Sequence, residues 1–109
     1  MSVAVSPDGK TVVTGGNTEF TARHWELNTA KPIGAPMQHP DRVNSVAFSP
    51  DGKTLLTGCA DGTARLWSVT DRRPETPLTH SQSSLDAAAF SRDGKRVATS
   101  ALWSGWVRL

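Results

Sequence analysis

The sequence predicts an all-β fold made of repeated four-stranded antiparallel sheets. Two observations lead to this prediction: a set of short motifs recurs at one spacing along the 109 residues, and each repeat divides into short strand-like segments separated by turns. A third observation agrees with it, because no segment shows a helical hydrophobic period with helix caps at its ends.

Three nine-residue segments mark the start of successive repeats: SVAVSPDGK at 2–10, SVAFSPDGK at 45–53 and AAAFSRDGK at 87–95. Their glycines lie 43 and 42 residues apart. Two further motifs follow in the same order, a third-strand motif (TARHW at 21–25, TARLW at 63–67, WVRL at 106–109) and a linking motif (PMQH at 36–39, PLTH at 77–80). Motifs that recur in one order at one period indicate a structural repeat.

The middle repeat shows how each unit begins. Val46 and Phe48 alternate with Ser45 and Ala47, which is the period-two pattern of a strand with two different faces. The Ser-Pro-Asp-Gly sequence at 49–52 follows, with proline and glycine at the second and fourth positions of a type I turn.

Three more strands complete the unit. Segments 54–59 and 63–69 are predicted as the second and third strands, and Asp61-Gly62 between them is a strong two-residue hairpin signal, since both positions tolerate a positive φ. The fourth strand is expected around 74–79. It contains two prolines, which cannot donate to a sheet ladder, so it belongs at a sheet edge. Four short antiparallel strands at this period form the blade of a β-propeller.

These motifs resemble the WD-repeat family over essentially the whole chain. The strings VAFSPDGK and LLTGCADGTARLW, with His39 ahead of the first strand, are similar to the pattern of that family, whose period is ~40–45 residues. The family's Trp-Asp and Gly-His pairs are altered here, to Trp25-Glu26, Trp67-Ser68, Gln38-His39 and Thr79-His80. The resemblance implies a first blade at 1–38, a complete middle blade at 39–79 and a third blade at 80–109.

The chain is expected to be an incomplete ring. Met1 aligns with Asn44 and Leu109 with Leu66, so both ends are predicted to fall inside blades. Propellers close with ~4–8 four-stranded blades, whereas this sequence supplies at most eleven strands. We expect the remaining blades to belong to a longer chain, and assembly of several copies into a ring is the alternative.

Composition and charge weigh against several classes of function. The net charge is +2, from 12 basic and 10 acidic residues without a run of one sign, so no nucleic-acid groove is indicated. No stretch approaches the ~18 apolar residues of a membrane helix, and no membrane partner is expected. The first ten residues lack the basic leader of a signal peptide. The one cysteine, Cys59, cannot form an internal disulfide, which fits a cytoplasmic location.

The resemblance implies a buried hydrogen-bond network in the middle blade, made of His39, Thr57, Asp61 and Trp67. A catalytic-triad interpretation of these residue types fails, because the hydroxyl belongs to a strand threonine without a nucleophile elbow or an oxyanion loop. Buried polar groups that satisfy each other usually hold a fold together. The outer repeats keep parts of the set: Thr14 and Trp25 in the first, and His80, Thr99 and Ser104 (near the aspartate position) in the third.

No metal or cofactor site is predicted. The three histidines do not form the short-spaced ligand pattern that zinc needs: His24, His39 and His80. Cys59 is expected to be an inert buried thiol without a basic neighbour. The third-strand arginines are predicted to recur at one position and are assigned a scaffold role: Arg23, Arg65 and Arg108.

Positions that differ between repeats are the candidates for partner binding, because recurring positions already serve the scaffold. The hairpin before the third strand is one residue longer in the outer repeats, where it carries Phe20 and Trp103. In the WD-repeat family this hairpin and the segment leading into the first strand line the usual docking face. Exposed loop aromatics are enriched at interface hot spots; in the alternative interpretation each ring folds back over its own blade. Four residues are candidates for a polar rim: Arg42, Asn44, Ser84 and Asp86.

Three functions compete. A non-catalytic protein-interaction scaffold is the leading interpretation, and it rests partly on the family analogy. The alternative is a regulatory or sensor propeller of a larger protein, because KPIGAPMQH resembles long bacterial WD-repeat arrays, some of which are joined to serine/threonine kinases. An enzyme is disfavoured by the lack of carboxylate pairs, metal clusters and phosphate-binding glycine loops.

Overall fold

The computed structural model describes residues 2–16, 20–69, 79–80, 87–100 and 105–108, and all regular structure in this part of the chain is β-strand. The first sheet contains β1 (Ser2–Val5), β2 (Thr11–Gly15), β3 (Thr21–Glu26) and β4 (Met37–Gln38). The second contains β5 (Val43–Phe48), β6 (Thr54–Cys59), β7 (Thr63–Ser68) and β8 (Thr79–His80). The third contains β9 (Ala87–Phe90), β10 (Arg96–Ser100) and β11 (Gly105–Arg108). Within these ranges no helix could cross a membrane.

Each sheet is an antiparallel meander, so the predicted all-β fold of repeated antiparallel sheets is confirmed. The second strand of the middle repeat has its predicted bounds, and the third ends one residue earlier, at Ser68. The fourth strand is shorter than predicted. In the first sheet it covers only two residues and follows the prolines instead of containing them, because proline offers no N–H to a ladder. His80 pairs with Thr63 and so lies in the second sheet, one residue past the predicted boundary.

The Ser-Pro-Asp-Gly turns have the same geometry in the repeats where their residues recur. In the middle repeat, the N–H of Gly52 donates to the carbonyl of Ser49 at 2.9 Å, and Gly52 has a φ of 75°. The Ser49 hydroxyl also donates to Oδ1 of Asp51 at 2.6 Å, which ties the first residue of the turn to the third. The same serine-to-aspartate bond, also 2.6 Å, joins Ser6 to Asp8 and, in the third repeat, where Arg92 replaces the proline, Ser91 to Asp93.

The hairpin between β6 and β7 differs in detail from the predicted two-residue turn. The N–H of Gly62 donates to the carbonyl of Cys59 at 3.1 Å, so Ala60 and Asp61 are the central residues. Gly62 has a φ of 89°, whereas Asp61 is not in the positive-φ region. Asp61 is held by its side chain instead, because its Oδ1 accepts the N–H of Thr63 at 3.0 Å.

The third sheet has a different register from the one that the repeat alignment predicts. In the first two sheets, the recurring arginine of the third strand lies opposite Thr14 or Thr57. In the third sheet, Gly105 lies opposite the corresponding Thr99, and Arg108 is three residues further along. The predicted recurrence of Arg108 with the other two arginines is therefore wrong, because this hairpin closes over fewer residues than the alignment assumes.

The core lies between the sheets, which stack face to face. One cluster joins the first sheet to the second: Val13, Ala22, Met37, Val43, Val46, Leu55 and Trp67. The other joins the second to the third: Leu56, Ala64, Leu66, Ala88 and Val97. The second sheet is thus covered on both faces, which is the arrangement of neighbouring propeller blades.

Candidate functional site

The middle sheet contains a buried chain of hydrogen bonds. Nε1 of Trp67 donates to Oγ1 of Thr57 at 3.0 Å, and the same oxygen lies 2.8 Å from Nε2 of His39. Nδ1 of His39 lies 3.0 Å from the carbonyl of Met37, in the last strand of the first sheet. The chain therefore runs across the middle sheet and ends on the preceding one.

The partners of His39 determine its tautomer. A carbonyl oxygen only accepts, so Nδ1 carries the proton that is donated to Met37, and Nε2 of the neutral ring is an acceptor. Thr57 then donates its hydroxyl hydrogen to Nε2 while its oxygen accepts from Trp67. With a neutral imidazole ring, each of these groups therefore has a hydrogen-bond partner.

Burial keeps His39 neutral. The side chain is 7% exposed, and desolvation lowers its pKa to about 4, although the hydrogen bond to Met37 opposes this shift. Thr57, whose hydroxyl bonds to both His39 and Trp67, is fully buried. Neither group is accessible to a substrate, so the arrangement holds strands together and offers no nucleophile.

Asp61 belongs to a second, separate group. Its carboxylate accepts from both terminal nitrogens of Arg65, with Nη2 to Oδ2 at 2.8 Å and Nη1 to Oδ1 at 3.3 Å. The predicted single network of four residues is thus divided in the structure: Nδ1 of His39 is occupied by Met37, and the aspartate is turned towards the arginine. Partial burial would raise the pKa of Asp61, but the hydrogen bonds from Arg65, Cys59 and Thr63 outweigh it and lower the pKa to about 2.

Cys59 lies beside this ion pair and is buried, as predicted. The prediction that Cys59 has no basic neighbour is wrong, because Arg65 interacts with the thiol. Burial nevertheless raises the pKa of Cys59, and the nearby Asp61 carboxylate adds to the shift. A thiol with a raised pKa and no exposed surface is a poor nucleophile and a poor metal ligand.

The first sheet repeats only one link of the middle chain. Nε1 of Trp25 donates to Oγ1 of Thr14 at 3.0 Å, and both side chains are half-buried. The side chains of His80 and Thr99 and the whole of Ser104 lie outside the described residues. Among the residues with described side chains, the complete chain of hydrogen bonds is therefore found in the middle sheet.

The partner-binding candidates that the structure describes lie at one end of the stack. Phe20 is 39% exposed with a φ of 57°, and its carbonyl accepts the N–H of His39 at 2.9 Å. Arg42 is exposed, and its carbonyl accepts the N–H of Ala60 at 2.8 Å. Asn44, at the start of β5, is half-buried. We call Phe20, Arg42 and Asn44 the hairpin face. The candidates Trp103, Ser84 and Asp86 lie outside the described residues.

The opposite end of the stack carries the two Ser-Pro-Asp-Gly turns, the equivalent Ser-Arg-Asp-Gly turn at 91–94, and two clefts between neighbouring turns. A cleft of about 260 Å³ lies between the first two turns and includes His24, Phe48 and Asp51. A cleft of about 200 Å³ lies between the next two, with Leu66 and Phe90 at equivalent positions. Because the clefts recur with the repeat, they are grooves between sheets. No group of three or more metal-ligating side chains is found in the described part of the chain.

Sequence reasoning missed two contacts that matter at these sites. The Asp61–Arg65 pair is separated by four residues across the hairpin, and the recurrence of the arginine next to an Asp-Gly turn was the available signal. The serine hydroxyls at the start of the repeats, on Ser2 and Ser45, bond to the following sheet. Their recurrence was visible, but only the stacking of the sheets shows their partners.

The comparisons with known proteins agree with this geometry. The family model described as WD domain, G-beta repeat matches residues 1–26 and 30–68. Among solved structures, hydrazine synthase from Kuenenia stuttgartiensis is similar to the chain, with a TM-score of 0.89 and 17% identity over 98% of this chain. The chain spans 32% of that protein's length, and at this identity the likeness shows the fold alone. No significant match is found among curated protein sequences.

Proposed function

Because the chain belongs to the WD-repeat family, we propose that it is a non-catalytic protein-binding module that contacts its partner through the hairpin face. The partner is a protein and not a nucleic acid or a membrane, in keeping with the small net charge of +2. We place this function in the cytoplasm, where a free thiol such as Cys59 stays reduced.

The observation that carries the proposal is the conformation of Phe20. A bulky residue in the left-handed region costs about 1–2 kcal/mol, so the surrounding structure has to hold it there. The hydrogen bond from the N–H of His39 to the Phe20 carbonyl holds the backbone in this conformation. More than a third of the surface of Phe20 remains exposed. An exposed aromatic side chain on a held backbone offers contact area to a partner, and aromatic residues are enriched in interface cores.

The absence of catalysis is supported by the way in which the reactive groups are used. The hydroxyl of Thr57 is bonded on both sides, His39 is neutral and buried, and Cys59 has a raised pKa. The aspartates of the turns accept hydrogen bonds from serine hydroxyls and backbone N–H groups. These groups maintain the scaffold, and binding is left to the exposed side chains.

Substitutions at the two ends of the stack test this function. Proteins captured by the tagged chain would be purified and titrated against Arg42→Glu, Phe20→Ala and the control Lys53→Glu, which reverses an exposed charge near the turns. We expect Phe20→Ala to weaken binding by about 2 kcal/mol and Lys53→Glu to leave it unchanged. A partner whose affinity falls with Lys53→Glu and not with the hairpin-face variants would contradict the proposal.

A further inference from the structure

Two backbone hydrogen bonds join the segment that carries Arg42 to the hairpin that carries Phe20. The N–H of His39 donates to the carbonyl of Phe20 at 2.9 Å, and the N–H of Val43 donates to the carbonyl of Gly16 at 3.2 Å. His39 and Val43 are buried, whereas Arg42 between them is exposed. These two bonds therefore hold together the two backbone segments that form the hairpin face.

One of these bonds comes from a residue of the buried hydrogen-bond chain. The backbone N–H of His39 holds Phe20, while the ring of His39 bonds to Thr57 and to the carbonyl of Met37. A movement of the ring out of the middle sheet therefore moves the backbone N–H as well. Phe20 responds to such a movement, because its φ of 57° is strained and has to be held by its surroundings.

The bonds of the ring require a neutral imidazole. Nε2 of His39 accepts the hydroxyl hydrogen of Thr57, and a protonated Nε2 can only donate. The oxygen of Thr57 would then receive N–H groups from both His39 and Trp67, and its own hydrogen would lose its acceptor. A buried hydroxyl without an acceptor and a buried imidazolium both cost free energy. A ring that has taken up a proton is therefore more stable outside this site.

The charged groups around His39 do not remove this cost. In the described residues, the elements packed against it carry these titratable and charged groups: Asp41 and Arg42 on its own segment, Cys59 on β6, Asp61 and Arg65 on the hairpin and β7, and Arg23, His24 and Glu26 on β3. Burial is the main cause of the lowered pKa of His39, and the paired Asp61 and Arg65 act on it in opposite directions. The ring bonds to Thr57 and Met37, so within the described part of the chain no carboxylate is placed to stabilise its charge.

We propose that protonation of His39 is a switch for the hairpin face. The ring leaves the middle sheet, the hydrogen bond to the Phe20 carbonyl breaks, and Phe20 and Arg42 are no longer held together. Acidification thus loosens the hairpin face while the stacked sheets stay folded. The effect on partner binding rests on the function proposed above, whereas the switch is a property of the chain and is tested without a partner.

Amide hydrogen exchange, measured by NMR on the full chain at a series of pH values, tests the switch. The opened state takes up a proton at a pKa near 6.5 and the closed state only at about 4, so a falling pH favours opening. The protection factor of the His39 N–H, which corrects for the intrinsic pH dependence of exchange, should fall about tenfold for each pH unit in this window.

An amide at the opposite end of the stack separates local opening from global unfolding. The N–H of Ser49 donates to the carbonyl of Thr54 at 2.8 Å, and Ser49 is buried. We expect this amide to keep its protection at pH values where the His39 N–H has lost most of its own. Constant protection of the His39 N–H across the window overturns the proposal, and so does a parallel loss of protection at Ser49.

Two variants identify the titrating group. In His39→Gln, with the fold checked by circular dichroism, the protection of the N–H at position 39 should no longer depend on pH. Asp41→Asn is the matched control: it removes the neighbouring carboxylate but keeps an oxygen that can accept the N–H of Arg42, so the pH dependence should persist. A dependence that survives in His39→Gln, or that disappears in Asp41→Asn, contradicts the switch. Failure of the proposed function appears separately, as unchanged partner affinity of Phe20→Ala at neutral pH.

Discussion

The buried chain of hydrogen bonds in the middle sheet depends on one residue, Thr57, through its hydroxyl. It is fully buried and bonded to both Trp67 and His39. Thr57→Val keeps the shape of the side chain and leaves the indole N–H and the imidazole nitrogen without a partner. We expect the free energy of unfolding to fall by about 1–3 kcal/mol in urea denaturation. Thr14→Val, which removes the half-buried equivalent hydroxyl in the first sheet, should lower the free energy of unfolding clearly less. Equal losses for the two variants would show that burial of the hydrogen-bond chain does not matter for stability.

His39 makes stability dependent on pH. Its pKa is about 4 in the folded chain and near 6.5 when the chain unfolds, so the unfolded state binds more protons between these values. The stabilisation is complete above pH 6.5 and is lost as the pH falls towards 4. Melting temperatures measured at several pH values across this window should fall with pH in the unchanged chain and fall less in His39→Gln. Parallel curves for the two proteins would exclude His39 as the cause.

Three of the four predicted network residues, His39, Thr57 and Trp67, are joined by hydrogen bonds in the structure, because the repeat fixes their places on adjacent segments. It could not place Asp61 correctly. The aspartate has two available partners, His39 and Arg65, and only the path of the hairpin backbone decides between them. The Met37 carbonyl, which takes the second nitrogen of His39, carries no signal in a side-chain motif.

At the scale of strands, β2 lies tightly against the start of β5 at Gly15 and Val43. Gly15→Ala would place a methyl group 2.8 Å from Cγ1 and 3.2 Å from the carbonyl of Val43, so the strands have to separate. We expect a loss of about 1–3 kcal/mol in the free energy of unfolding. Gly16→Ala is the control, because its methyl group would meet the Thr21 carbonyl at an ordinary 3.6 Å. If both variants are equally stable in denaturant, the close contact does not exist.

The strands of the repeats differed in how well they could be predicted. β6 has a mostly apolar sequence with two threonines, bounded by turns, and its predicted ends agree with the structure. The short β4 lacks such a pattern, because only two residues after the prolines join the ladder. The register of β11 failed for another reason: the motif WVRL was aligned by its arginine, and a hairpin of different length shifts the pairing.

At the scale of the whole molecule, the described residues offer no assembled catalytic site, and we expect no hydrolase, transferase or metal-dependent activity. The reason is that the potentially reactive hydroxyl, imidazole and thiol of the middle sheet are buried and committed to each other or to the backbone. Panels of generic ester, phosphate and peptide substrates, with and without divalent metals, would measure this. Reproducible turnover that disappears with one polar substitution in a folded variant would contradict it.

The central claim is that the sheets stack so that each covers the same face of the next. The repeat provides a matched pair for testing it: Val3 on β1 is 57% exposed, whereas Val46 at the equivalent position of β5 is 7% exposed. Cys59, which is buried, serves as the internal reference for an unreactive thiol.

The deciding measurement is the rate of thiol labelling of Val3→Cys and Val46→Cys under native conditions. The account predicts that the new thiol at position 3 reacts at the rate of an exposed cysteine. At position 46 the reaction should be at least about 100-fold slower, because it requires the sheets to open. Equal and fast labelling of the two variants, with their β-sheet content unchanged, would contradict the stacking of the sheets and the account built on it.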